Sequence, residues 1–230
     1  SFQVIHALDV ARALPGSMLV IEKRAEHIGE LPAALLTETG VPTLVWERGR
    51  MAELDGVFDV IVCQTPFSQI ERFEKSRIAM LQYGLAKEPH NYGAWRSLAD
   101  LCLVYGPYSA QKVSYFCPTI AVGNPRRDQW ESAALAERAR ALTVGLDPTR
   151  PTLLYAPTWG ELSTQETFLP AVMALGRACN VLVKLHHNTD LLEQHRKIDA
   201  GANVRVFGAN DDVYFTADNC FFRTNGISRC

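Results

Sequence analysis

Strand-length apolar runs that alternate with helix-length segments predict an α/β protein on mainly parallel sheets. Two observations carry that prediction. Pro151-Thr-Leu-Leu-Tyr-Ala-Pro-Thr-Trp159, a helical pattern, and Val181-Leu-Val-Lys-Leu-His-His187 have the form of a βαβ unit, both apolar runs ending in polar residues with a turn signal. The same alternation fills the chain up to Val122, and a polar, proline-bearing connector, Gly145-Leu-Asp-Pro-Thr-Arg-Pro151, separates it from the second run of strands. Two units are expected, 1–145 with the linker and 146–230, facing across a cleft of the kind where substrates bind.

Taken in order, Ile5, Leu8, Val10, Ala11 and Leu14 predict an amphipathic helix over Val4–Leu14, stopped by Pro15-Gly16. Met18-Leu-Val-Ile21 reads as a buried strand. Ala25–Thr39 is helical in pattern, with Pro32 starting, kinking or splitting it and Gly40 as its C-terminal cap residue. Thr43–Trp46, Phe58–Cys63, Ile78–Gln82, Leu101–Tyr105 and Ile120–Val122 are further apolar runs, with a short charged helix expected over Ser68–Lys75 and a segment from Tyr108 to Phe116. Gly123–Asp128 is a turn and Trp130–Leu142 a helix. In the βαβ stretch, Ser163-Thr-Gln-Glu166 predicts a capping box, and Phe168, Val172, Leu175 and Cys179 predict the helix's apolar side.

With 47% hydrophobic and 21% charged residues, the chain has the composition of a globular domain able to bury a core. A net charge of −2 excludes a general nucleic-acid or membrane-coating role, so anion binding must be local. Six cysteines, at 63, 102, 117, 179, 220 and 230, form no C-x-x-C pair, which predicts buried free thiols in a reducing compartment, hence cytoplasm. No run reaches the roughly 18 apolar residues that span a bilayer. The second unit, Leu153–Cys230, is short beside a modal domain of about 100–150 residues, so an incomplete second unit from a longer protein is expected.

Ligands of open parallel sheets sit beyond the carboxyl ends of the strands, which puts Thr158, Trp159, Lys184, His186 and His187 on one rim. A lysine and histidines there suit an anionic substrate; the plain alternative is a solvated rim charge and a packed ring. Neighbouring side chains on a strand face opposite ways, so His186 and His187 do not share an ion, and His195 reads as helix packing. No metal site and no glycine-rich phosphate loop is expected, and no cofactor. Arg126 and Arg127, beside a helix start, could bind phosphate or brace the connector through Asp128 or Glu131. Lys87, His90 and Tyr92 lie in a loop after a strand, either functional or simply surface.

Four stretches in order, Met80-Leu-Gln-Tyr-Gly-Leu-Ala-Lys87, Val122-Gly-Asn-Pro-Arg-Arg-Asp128, Leu154-Tyr-Ala-Pro-Thr-Trp159 and Val183-Lys-Leu-His186, with Asp211–Asp218 behind them, resemble the CDP-glycerol glycerophosphotransferase family, the teichoic-acid-type polymerases and primases of the GT-B fold. That resemblance implies two Rossmann-type units and transfer of glycerol phosphate, or a similar polyol phosphate, from a CDP-activated donor to an acceptor hydroxyl of a lipid-linked or polymeric surface precursor, with release of CMP. It implies a cytoplasmic protein in peripheral contact with the inner face of a bacterial membrane, and no nucleic-acid partner. His186 takes the family's functional histidine position, with His90 as a second catalytic candidate; Thr158, Trp159, Lys184, Gly84, Lys87, Arg126 and Arg127 are the substrate-binding candidates.

The sequence departs from the family pattern twice. Tyr83 stands before Gly84 where the family has a histidine, and a phenol is a poorer base than an imidazole at neutral pH. After Asp218 the chain reads Asn219-Cys-Phe-Phe-Arg-Thr-Asn-Gly226 in place of the family's D-x-S-S-like turn. A nucleotide-sugar glycosyltransferase or epimerase of the same architecture, and a non-catalytic binding homologue, are the rival expectations.

Overall fold

The computed structural model describes residues 2–23, 40–84, 88–125, 127–128, 132–186 and 201–207. The expected helix Ala25–Thr39, and His187, His195, Lys87, Arg126 and Asp211–Asp218, lie outside the described residues. The chain divides into two compact units, Ser1–Arg127 and Asp128–Cys230, so the helix and connector after residue 127 go with the second.

In the first unit, α1 (Phe2–Ala13) ends in a turn at Gly16, whose φ of +75° suits a residue without Cβ. Strand β1 (Leu19–Lys23) pairs in parallel with β2 (Thr43–Glu47), Leu19 opposite Thr43. A four-stranded parallel sheet follows in chain order: β3 (Val60–Cys63), β4 (Arg77–Leu81), β5 (Leu101–Val104) and β6 (Thr119–Ala121). β4 is central, and its Ile78–Leu81 run is buried throughout, as a parallel strand covered on both faces must be. Val60 and Ile120 on the outer strands are half exposed.

Two aspartates fix the amino end of that sheet. Both carboxylate oxygens of Asp55 accept backbone N–H groups of Glu74, Lys75 and Ser76 at 2.9–3.2 Å, holding the chain into β4. Asp100 accepts the N–H of Ile78 at 2.8 Å and a guanidinium hydrogen of Arg77 at 2.9 Å. The charged helix expected at Ser68–Lys75 is therefore only a 3-10 turn, Ile70–Arg72: the amides of residues 74–76 are taken by Asp55 and cannot close helical turns. Helices α2 (Glu88–Asn91) and α3 (Pro107–Val113) follow β4 and β5. Tyr92 and Val113 join Ile78, Met80, Cys102 and Val104 in the core.

The second unit carries α4 (Ala133–Leu142), then the parallel sheet β7 (Thr152–Tyr155), β8 (Asn180–Lys184) and β9 (Val204–Phe207), with β8 in the middle. Buried Asn180 donates from Nδ2 to the Asp147 carbonyl at 2.7 Å, tying the connector to the start of β8. Within the connector, the Asp147 carboxylate takes the Thr149 N–H and hydroxyl and Arg150 Nε. The Thr149 hydroxyl is the main reason its carboxyl is held below the usual carboxylate range.

Helix α5 (Gln165–Ala174) supplies the crossover from β7 to β8 and corrects two expectations. Its N-cap is Thr164, without a side-chain cap bond, and Ser163 Oγ accepts the Gln165 N–H at 3.2 Å, so a one-turn Ser bend replaces the capping box. Leu169, Val172 and Met173 pack on Val181, Val183 and Leu185 of the β8 segment, as does Cys179. Phe168 and Leu175 stay exposed. The helix begins later and gives way to a 3-10 turn at Leu175, so positions 169, 172 and 173 form the inward row. Strand β9 was not among the expected elements: four residues, Val204-Arg-Val-Phe207, are too short for their alternation to stand out.

Candidate functional site

The rim at the carboxyl ends of β7 and β8 is built by register. Tyr155 pairs with Val183, so Trp159 and His186 lie four and three residues beyond one paired position, close to each other despite the helix between them in sequence. Their rings stack with centroids 5.8 Å apart and 30° between planes. Leu185 belongs to the core under α5, so alternation puts Lys184 and His186 on the opposite side of the β8 segment. Lys184 is half-buried, and its ammonium donates to the Leu185 carbonyl at 2.7 Å. His186 is half-buried, Trp159 38% exposed and Thr158 exposed in the loop after β7. Buried Pro157 and the hydroxyl pair of Tyr155 and Thr164, 2.9 Å apart, anchor that loop at both ends.

Such a rim offers a cation, an imidazole braced by an indole, and a hydroxyl. It suits a polar, anionic ligand part, because an ammonium and an imidazole both hydrogen-bond phosphate oxygens and an imidazole can take a proton near neutral pH.

The carboxyl end of β4 is organised otherwise. Buried Gln82 donates from Nε2 to the Gly84 carbonyl at 2.7 Å, and its Oε1 accepts the Tyr105 N–H at 2.8 Å. One amide thus fixes the turn after β4 to the end of β5. Gly84 sits beside Asn91, whose amide atoms would lie 3.7–3.8 Å from an added Cβ. Tyr83 is half-buried, and His90 lies within α2. Arg127 is exposed, its N–H bonded to the Asn124 carbonyl at 2.9 Å.

The most buried charge among the described residues of this unit, Arg96, carried no sequence signal. It is fully buried, donates from Nε to the Asn91 carbonyl at 3.1 Å, contacts Cys102 Sγ at 3.8 Å and lies 4.3 Å from the centre of the Trp95 ring. Burial pushes the thiols of Cys63 and Cys102 up to about 12, so both are neutral packing groups and not nucleophiles. Gln82 was equally hard to read, being one polar residue closing an apolar run. Cys63, Cys102, Cys117 and Cys179 are free.

No family model matches the chain, and no curated protein matches its sequence. Among solved structures, the wall teichoic acid polymerase TagF is similar over 91% of this chain, with a TM-score of 0.56 and 13% identity. The likeness covers 57% of that structure, so the chain spans little more than half its length. It establishes the fold: parallel α/β units of the Rossmann type in a GT-B-like architecture.

Proposed function

We propose that the chain is the catalytic part of a transferase that moves glycerol phosphate, or a similar polyol phosphate, from a CDP-activated donor to a hydroxyl of a cell-surface polymer precursor, releasing CMP. One observation carries the reading: the stacked Trp159 and His186 at the ends of β7 and β8, with Lys184 on the same side of β8, in a chain whose fold is that of TagF. The acceptor oxygen attacks the phosphorus that bears the polyol, and the bond from that phosphorus to the CMP oxygen breaks. The electron pair leaves on CMP, and the hydroxyl's proton passes to His186, whose ring is braced by stacking on Trp159. Lys184 offsets negative charge on the diphosphate. Catalysis here is positioning and charge neutralisation.

Thr158 on the same rim, Arg126 and Arg127, Gly84 in the turn after β4, Lys87, and His90 in α2 complete the proposed set of binding and proton-handling residues. No described helix is long and apolar enough to cross a membrane; peripheral contact with the inner membrane face, where a lipid-linked acceptor would be met, is part of the proposal.

The test is CMP release by the full-length protein from CDP-glycerol and CDP-ribitol. Release that falls about 100-fold in His186→Ala supports the reading; release unchanged in that variant removes His186 from the mechanism. Thermal stabilisation by UDP-sugars and not by CDP-polyols would assign the protein to sugar transfer or epimerisation instead. Tyr83 favours a second reading, a binding homologue, which predicts stabilisation by CDP-polyols with no CMP released.

A further inference from the structure

The rim on β7 and β8 leaves unused a group of aromatic side chains in the first unit. Helix α2 follows the turn at Gly84, and α3 follows β5; between α2 and the turn after α3 lies an open cavity of about 390 Å³, lined by Glu88, Tyr92, Lys112, Tyr115 and Phe116. That volume lies within the range of small-molecule sites. Tyr115 is 83% exposed and Phe116 37%. Adjacent exposed aromatic rings beside a concavity rimmed by polar groups are an apolar patch of the kind that marks a ligand-binding groove.

The walls are built, not merely exposed. Tyr92 is buried, with its hydroxyl 3.2 Å from Ser109 Oγ, and its ring meets that of Tyr108 edge-on at 6.0 Å. The Tyr108 hydroxyl donates to the Glu88 carboxylate. Lys112 Nζ lies 3.9 Å from the other Glu88 oxygen and 5.5 Å from the centre of the Tyr108 ring. One acid and one base on the wall cancel, while both keep hydrogen-bonding capacity toward a ligand.

We infer that this cavity binds an uncharged saccharide by stacking a sugar face on Tyr115 and Phe116 and hydrogen-bonding its hydroxyls to Glu88 and Lys112. A pyranose has that dual character: one face of C–H groups and a rim of hydroxyls. A ligand charged with either sign would meet a like charge, Glu88 or Lys112, and gain nothing net from a wall that is neutral, while a purely apolar one would strand the Glu88–Lys112 pair away from water. An anionic lipid surface needs a net positive patch, which the paired Glu88 and Lys112 do not give. This binding does not rest on the transferase reading.

Saturation-transfer NMR of the full chain with a panel of uncharged methyl glycosides and disaccharides, without donor, tests the inference. Saturation on the C–H protons of one sugar face is expected, reduced about fivefold in Tyr115→Ala by loss of a stacked ring. Tyr115 is too exposed for its removal to unfold the unit; Glu88→Gln is the second variant, with weaker binding expected. No transfer from any sugar, transfer unchanged in Tyr115→Ala, or Tyr115-dependent sedimentation with anionic phospholipid vesicles and no sugar binding would each overturn it. Sugar binding without CMP release from CDP-polyols leaves this site standing and defeats the transferase; CMP release without sugar binding does the reverse.

Discussion

At the carboxyl end of β4 the polar side chains are spent on the protein's own backbone: Gln82 on Gly84 and Tyr105, and Arg96 on Asn91. At the ends of β7 and β8, Trp159 and His186 keep partly open surfaces and lean on each other. Both are carboxyl-end rims of parallel sheets; one is a brace, and the other, where Lys184 likewise bonds the Leu185 carbonyl but the two rings stay partly open, is where the proposed chemistry is placed. Sheet position alone thus marks where function can sit, and the fate of each hydrogen-bonding group decides whether it does.

Substitutions can break that contrast. Arg96→Ala is expected to destabilise the first unit by about 3 kcal/mol, from a cavity plus an Asn91 carbonyl left without its donor. Arg96→Met should cost less, because it refills volume and removes a buried charge. Urea titration measures both, and a loss below about 1 kcal/mol in the alanine variant would deny Arg96 its bracing role.

His186→Ala should act in the opposite way, lowering CMP release about 100-fold while the unfolding midpoint stays put. A large fall in stability would mean the ring is packing rather than chemistry. At the opposite, amino end of the same sheet, Gly176→Ala places a Cβ 2.8 Å from Cγ2 of buried Val204 and is expected to cost about 1–2 kcal/mol, read by thermal unfolding. A neutral result would mean that β9 shifts freely.

The mildest effect concerns acid. Backbone hydrogen bonds, led by Ser76 for Asp55 and by Ile78 for Asp100, hold both carboxyls below their ordinary range. A depressed folded pKa adds stability that is complete above the unfolded value, about 3.9, and is lost as pH falls through the folded one. Asp55→Asn should therefore flatten the acid limb of the stability curve, and an unchanged slope in pH-dependent unfolding would show the carboxylate to be idle.

How far the residues announced this is uneven. β7 and β8 were legible because apolar runs end in polar groups on both sides of a helix, and the fold class followed. The inward face of α5 was misread, since its first residue is set by Thr164 and its last by the 3-10 turn at Leu175, neither visible in spacing. The candidate rim was legible as a set of residues and not as a contact: nothing in the letters says that Trp159 reaches His186, which depends on the pairing of Tyr155 with Val183. Arg96 was invisible because an arginine is expected outside.

The stacking of Trp159 on His186 gives the protein an optical gauge. A ring in contact with an indole alters its emission, so a ligand that displaces either ring is expected to change the fluorescence of Trp159. With Trp46, Trp95 and Trp130 replaced by phenylalanine, the remaining indole is expected to report arrival of a ligand at the proposed rim by light, without a label.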